Sequence, residues 1–252
     1  MDDILARIKD KHARLQELRE RKPGGLSNFE ASQDIELTYT SNAIEGNTLT
    51  ASETMLVVEQ GITVAGKPLR DHLEAIDHYE AIRYVRDLAR AGAPFAEMDV
   101  RNLHRLVMLR SKPEISGRYA DQGRFVPTDA GRHSFPAPAE IPALMGDFAA
   151  WLAAARPGPQ TAFSAHRRLV DIHPFDDGNG RTARLLMNLV LIRAGHPPVS
   201  VRPVDRPDYI AALQEAQAGT GTARFDRLLS ARLDATLDEA LAALEQALPP
   251  GQ

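Results

Sequence analysis

Residues 171–195 read DIHPFDDGNGRTARLLMNLVLIRAG. From about residue 181 to residue 194 the pattern is that of an apolar helix stopped by Gly195. Its start carries the wrong charge. Arg181 and Arg184 fall in the first turns, where cations oppose the helix dipole by a few tenths to about 1 kcal/mol each. Two aspartates and a Gly-Asn-Gly turn come directly before. A helix that begins this way is suited to hold an anion.

Working outward, helical periodicity dominates the chain. Residues 2–21 form an amphipathic pattern with Ile4, Leu5, Ile8, Leu15 and Leu18, ended by KPGG. Ser27 and Glu30 have capping-box spacing, and the following helix should run to about Ile44–Glu45 before Gly46. Thr50 and Glu53 repeat that spacing ahead of ETMLVVEQ. Further helices are expected at about 70–91, 97–110, 139–155, 160–172, 206–218 and 222–247. In the first of these Leu73, Ile76, Tyr79, Ile82 and Val85 should form the buried side. Residues 113–138 break the pattern with Gly, Pro and two short β-compatible pieces, RFV and HSF, which read as a surface hairpin. The expected class is all-α with one small β excursion: a helical extension over 1–60 and one domain over 61–252.

With 252 residues the chain can bury a large core, and its 25% charged and 43% hydrophobic content is that of an ordinary globular protein. The net charge of -4 gives no bulk reason to expect nucleic-acid binding. No apolar run is long enough to span a bilayer, and the charged N-terminus is not a signal peptide. The chain has no cysteine, which excludes disulfides, thiolate metal sites and a cysteine nucleophile. The expected compartment is the cytoplasm.

The chemistry concentrates in residues 173–184. Gly178, Asn179 and Gly180 can turn successive amides into one concavity, and at a helix start such a concavity binds anions. Arg181 and Arg184 are three apart and share a face, with planar forks suited to phosphate oxygens. Asp177 is the nearest acid, placed to hold Mg²⁺ whose shell is completed by substrate phosphates. His173 can act as a general base, and Phe175 is the natural buried anchor of the loop. Singly, each feature has a bland reading: a packed histidine, a plain turn, arginines paired with Asp176 and Asp177. Jointly they describe a nucleotide site.

HPFDDGNGRTAR resembles the active-site motif of the Fic family, HxFx(D/E)GNGRxxR, at every fixed position, and the likeness extends over about residues 30–240. The resemblance implies a helical Fic fold, ATP with Mg²⁺, and transfer of AMP to a Ser, Thr or Tyr hydroxyl of a target protein. His173 would be the base and Asp177 the Mg²⁺ ligand. Gly178, Asn179, Gly180 and Arg181, with Thr182 and Ala183 behind them, would cradle the phosphates, and Arg184 would take the γ-phosphate. Related Doc toxins, which phosphorylate, carry lysine where this chain has Gly180, so the glycine favours AMP transfer.

TSNAIEGN at 40–47 poses the opposite electrostatic problem, since Glu45 ends a helix where an acid is unfavourable. Two frustrated helix ends of opposite charge relieve each other if they meet. Ser41, Glu45 and Gly46 resemble the family's inhibitory motif, whose glutamate pairs with the second arginine, here Arg184. By the same resemblance Phe125, Val126, His133, Ser134 and Phe135 belong to a target-binding flap at about 117–136. Tyr209 and Gln217 would line the adenine pocket. His72, His78, His104 and His166 have no partner at metal-ligand spacing and read as packing or surface residues. Three matters stay open on sequence: whether the site adds AMP or removes it, whether it is a quiet nucleotide sensor, and whether two copies pair.

Overall fold

The computed structural model describes residues 2–128 and 131–247. Among these residues ten α-helices and one hairpin follow in order: α1 Asp2–Arg21, α2 Ser27–Ile44, α3 Ala51–Gln60, α4 Leu69–Ala91 and α5 Glu97–Val107. The strands β1 Phe125–Thr128 and β2 Gly131–Ser134 come next. The remaining helices are α6 Ile141–Ala154, α7 Pro159–Ile172, α8 Asn179–Arg193, α9 Arg206–Gln217 and α10 Ala223–Ala247. The expected class, a helical bundle with one small β excursion, is what the chain adopts.

The centre of the bundle is α8. Every residue from Arg181 to Leu191 is buried, and α4, α5 and α7 pack around it. From Leu185 to Leu191 it is apolar all round except for Asn188, whose amide is satisfied by the Val199 backbone, and such a segment belongs at the centre of a bundle. At the other end of the chain α1 lies along α10. Leu15, Leu18, Leu233 and Leu237 are fully buried, and Arg7 and Lys11 pair with Asp234 at the rim. One continuous hydrophobic core therefore joins residues from Ile8 to Leu244.

Several local expectations change. Helix α8 starts at Asn179, not 181, because Gly178 caps it in the left-handed region (φ 74°). The Asn179 side chain folds back onto Phe175, donating to its carbonyl (2.7 Å) and accepting from its amide (3.0 Å). The Thr50–Glu53 capping box forms. The Ser27–Glu30 box does not: Leu26 takes the cap position, and the Ser27 hydroxyl turns back to the Gly24 carbonyl at 2.8 Å.

Helix α4 departs further. Ile82 and Val85 are buried as expected, but Leu73, Ile76 and Tyr79 are only half-buried. The inward face of its first half carries Asp71, His72, Glu74, Asp77 and His78. The hairpin pairs Phe125 with Ser134 and Val126 with His133. The Phe135 amide extends the ladder to the Arg124 carbonyl at 3.0 Å.

Candidate active site

At the end of α7, His173 takes φ 50°, a left-handed value that costs a non-glycine residue about 1 kcal/mol or more. The turn throws the imidazole out of the helix and into a cavity of about 290 Å³. Three contacts hold it there. Its amide donates to Leu169, its carbonyl accepts from the Arg124 guanidinium, and its ring stacks on Phe135 at 3.8 Å and 9°. The flap thus braces the histidine directly. Nδ1 lies 3.3 Å from the Val170 carbonyl; donation there leaves Nε2 as the basic nitrogen. Burial pushes the imidazole down to about 4, so it is an unprotonated base at neutral pH.

The loop after His173 is anchored by Phe175, which is fully buried and stacked face to face on His104 at 3.7 Å. Both His104 nitrogens are engaged: Nδ1 accepts from the Gly117 amide (3.0 Å) and Nε2 donates to the Asp177 carbonyl (3.0 Å). On sequence His104 reads as a packing or surface residue. Packed it is, but as the splint between the flap base and the loop.

Asp177 points its Oδ1 at the Gly178 amide (2.6 Å) and its Oδ2 at the Lys112 ammonium (2.5 Å). Burial alone would raise its carboxyl; Lys112 and Arg181 outweigh that and hold it below the usual range. The helix-opening amides of Asn179, Gly180 and Arg181 have no intrahelical acceptor. Arg181 is 2% exposed, yet its Nε and Nη1 have no hydrogen-bond partner. Its nearest acids, Glu74 and Asp177, stand off at 3.5 Å. A buried guanidinium left so poorly satisfied, beside free amides, is a site built for an anionic ligand. The donor set therefore fits a polyphosphate, and Asp177 is the one carboxylate beside it that a divalent cation could use. Thr182 and Ala183 do not line it: the Thr182 amide bonds Gly178 in the helix, and both side chains are buried in the core.

Arg184 is claimed by the end of α2. Its Nη2 donates to Glu45 Oε1 at 2.7 Å and to the Ser41 carbonyl at 2.9 Å, and its Nε donates to the Ser41 hydroxyl at 2.9 Å. The Glu45 carboxylate also covers Gly180, where an added Cβ would lie 2.6 Å from Oε1. Gly46 turns the chain away at φ 94°, and Arg206 pins the helix end through the Ile44 carbonyl. The two frustrated helix ends do meet.

The cavity beside His173 is lined further by Val126, Gly180, Arg184, Tyr209, Leu213 and Gln217, so Tyr209 and Gln217 face one space. Tyr209 is nevertheless 1% exposed, and its hydroxyl is held 2.8 Å from His166 Nε2 and 3.4 Å from Arg184 Nη1. It braces the second arginine as well as lining the pocket. On the flap Phe135 and Val126 face the cavity, while Phe125 is exposed under the Arg132 guanidinium. His133 packs edge-on against Phe135, and exposed Ser134 closes the ladder opposite Phe125. Lys112, Glu74 and Arg124 went unnoticed in the sequence, and His166, read there as a packing or surface residue, braces Arg184 through Tyr209; each acts through a fold contact that no local motif announces.

Comparison with known proteins agrees with this geometry. The Fic/DOC family profile matches residues 94–191. The protein adenylyltransferase Fic of Nematostella vectensis is 40% identical over 209 residues, covering 81% of this chain and 48% of that protein. A Fic-domain signaling protein from Bacteroides thetaiotaomicron superposes with a TM-score of 0.88 at 29% identity, covering 97% of this chain and 100% of that one. Fic-1 (residues 134–508) from C. elegans superposes with 0.83 at 30% identity, covering 96% and 71%. The chain belongs to the Fic/DOC family. It spans about half the length of the curated relatives it matches. Among the described residues no helix is long and apolar enough to cross a membrane.

Proposed function

We propose that this chain transfers AMP from MgATP to a hydroxyl of a target protein, and that Glu45 holds the site inactive. The observation that carries the reading is Arg184 bound at once to Ser41 and Glu45, with an unprotonated His173 lining the same cavity and the partnerless Nε and Nη1 of buried Arg181 one turn away on the same helix. Relatives of about 35–40% identity bear the name protein adenylyltransferase. The partner is a protein segment laid along the hairpin edge by strand addition. The compartment proposed, from the cysteine-free composition, is the cytoplasm.

In this reading Asn179, Gly180 and Arg181 hold the phosphate chain and Arg184, once freed, takes its terminal phosphate. Asp177 would hold Mg²⁺, with phosphate oxygens completing its shell; among the described residues no group of three or more His, Cys, Asp or Glu could do so alone. When bound, the metal neutralises charge building on the leaving pyrophosphate. His173 Nε2 takes the acceptor's proton as its oxygen bonds to the α-phosphorus. The bond from that phosphorus to the bridging oxygen breaks, and pyrophosphate leaves with the electron pair. Gly180 leaves room for that leaving group.

A second reading has one observation in its favour: the Glu45 carboxylate faces the same cavity as His173. There it could align a water to remove AMP from a modified protein. Lysate incubated with ATP labelled on the α- or γ-phosphate separates the possibilities. AMP transfer puts α-label on protein, most in Glu45→Gly and none in His173→Ala. Label from the γ position alone refutes it, as does ATP binding without any label. Release of AMP from a pre-labelled protein by the wild type supports the hydrolytic reading.

A further inference from the structure

The C-terminal end of α5 lies over the loop that carries Asp177. Met108 Sδ would meet a Cβ at Gly178 at 2.8 Å, and it approaches Arg181 Nη2 at 3.8 Å. His104 holds the Asp177 carbonyl from the same helix. One turn later the Lys112 amide bonds the Met108 carbonyl at 3.0 Å, which fixes the lysine backbone above the carboxylate. Its side chain is 37% exposed, so the ammonium, on a flexible four-carbon stem, can leave its contact for solvent or for a second anion.

Asp177 has two oxygens. Oδ1 is taken by the Gly178 amide at 2.6 Å and faces Arg181 at 3.5 Å. Oδ2 is the one left for a cation, and the Lys112 ammonium sits on it at 2.5 Å. Mg²⁺ binds through one or two carboxylates and phosphate oxygens, and bound at Oδ2 it would bring a second cation within a few ångströms of the Lys112 ammonium, so the two repel. We propose that Lys112 is an exchangeable counter-ion for Asp177. It holds the carboxylate in its cradle-facing position while the site is empty, and it must yield Oδ2 to the metal. Released, it is close enough to the cradle to offset phosphate charge.

This inference rests on the nucleotide reading above, and Lys112 is in it a positioning residue that acts through Asp177. Both partners are about two-fifths exposed, so the contact is worth roughly what a partly exposed ion pair is worth, and its removal should alter metal affinity by about two- to fivefold.

The test is calorimetry of ATP binding to the Glu45→Gly, His173→Ala chain, which is unlocked and cannot turn over. Binding is measured in EDTA and across a Mg²⁺ series, with Lys112, Lys112→Met and Lys112→Arg. Lys112→Met should lower the Mg²⁺ concentration for half-maximal effect by about two- to fivefold while weakening ATP binding in EDTA, where the bare carboxylate repels phosphate. Lys112→Arg should stay near the parent. An unchanged or raised Mg²⁺ requirement in Lys112→Met, with ATP binding retained, overturns the proposal. If no form binds ATP with or without metal, it is the nucleotide reading that falls.

Discussion

Replacing Glu45 by glycine should do two opposite things, and the structure sets the size of both. The carboxylate holds a guanidinium that is 5% exposed at 2.7 Å, but is itself 38% exposed. A hydrogen bond between charged groups is worth about 1.5–3 kcal/mol; screening at the exposed partner brings this to about 1–2 kcal/mol. Without nucleotide, Arg184 keeps only Ser41 and the long Tyr209 contact, so the melting temperature should fall by about 2–8 °C. With MgATP the same 1–2 kcal/mol no longer opposes binding, and affinity should rise about five- to thirtyfold. Thermal melts with and without MgATP read both effects. The variant starts lower and gains more from the ligand than the wild type, and its self-labelling rises with it. Glu45→Gln, which keeps the shape and loses the charge, should follow the glycine variant in direction. If Glu45→Gln melts lower yet binds MgATP no better than the wild type, the ion pair is structural and the lock lies elsewhere.

Other consequences follow from neighbouring contacts. His173→Ala should abolish AMP transfer while leaving MgATP affinity of the Glu45→Gly form within about twofold, as read by calorimetry beside α-label transfer. Gly180→Ala places a methyl 2.6 Å from Glu45 Oε1 at a helical position without positive φ. The exposed carboxylate must swing aside, so nucleotide-independent protection of Arg184 from a guanidine-modifying reagent should drop. Tyr209→Phe removes the hydroxyl shared by Arg184 and His166, whose Nδ1 already lacks a partner; urea unfolding should show a loss of about 1–3 kcal/mol. Burial lowers His78 to about 3 and His104, His173 and His196 to about 4. Their folded values lie below the unfolded value of about 6.5. The stability they contribute is therefore complete above that pH and is lost as pH falls toward 4, at up to about 1.4 kcal/mol per unit for each. Urea midpoints that do not move between pH 7 and 5 would contradict this.

What could be read from sequence divides along a physical line. Helix α8 and the loop before it were legible because the demand is local: glycines that admit positive φ, arginines in the first turns, an apolar run behind them. Glu45 was legible for the same reason, as a charge at the wrong helix end. The first half of α4 was not. Periodicity ranks Leu73, Ile76 and Tyr79 as the inward face, since it assumes that what is buried is apolar. The helix turns Asp71, Glu74 and His78 inward because their partners, Thr48, Asn47 and Thr38, arrive from the end of α2 and the segment after it. A buried polar face is stable only when another segment satisfies it, and a segment's own sequence does not carry its partner's position. Lys112 and Arg124 escaped for the same cause, each acting on a backbone or carboxylate far along the chain. The boundary at Asn179 was missed by two residues because its amide could cap backward onto Phe175. The site's ligand-facing groups announce themselves by being unsatisfied within their own element; the groups that hold them in place look ordinary until the fold supplies the other half of each bond.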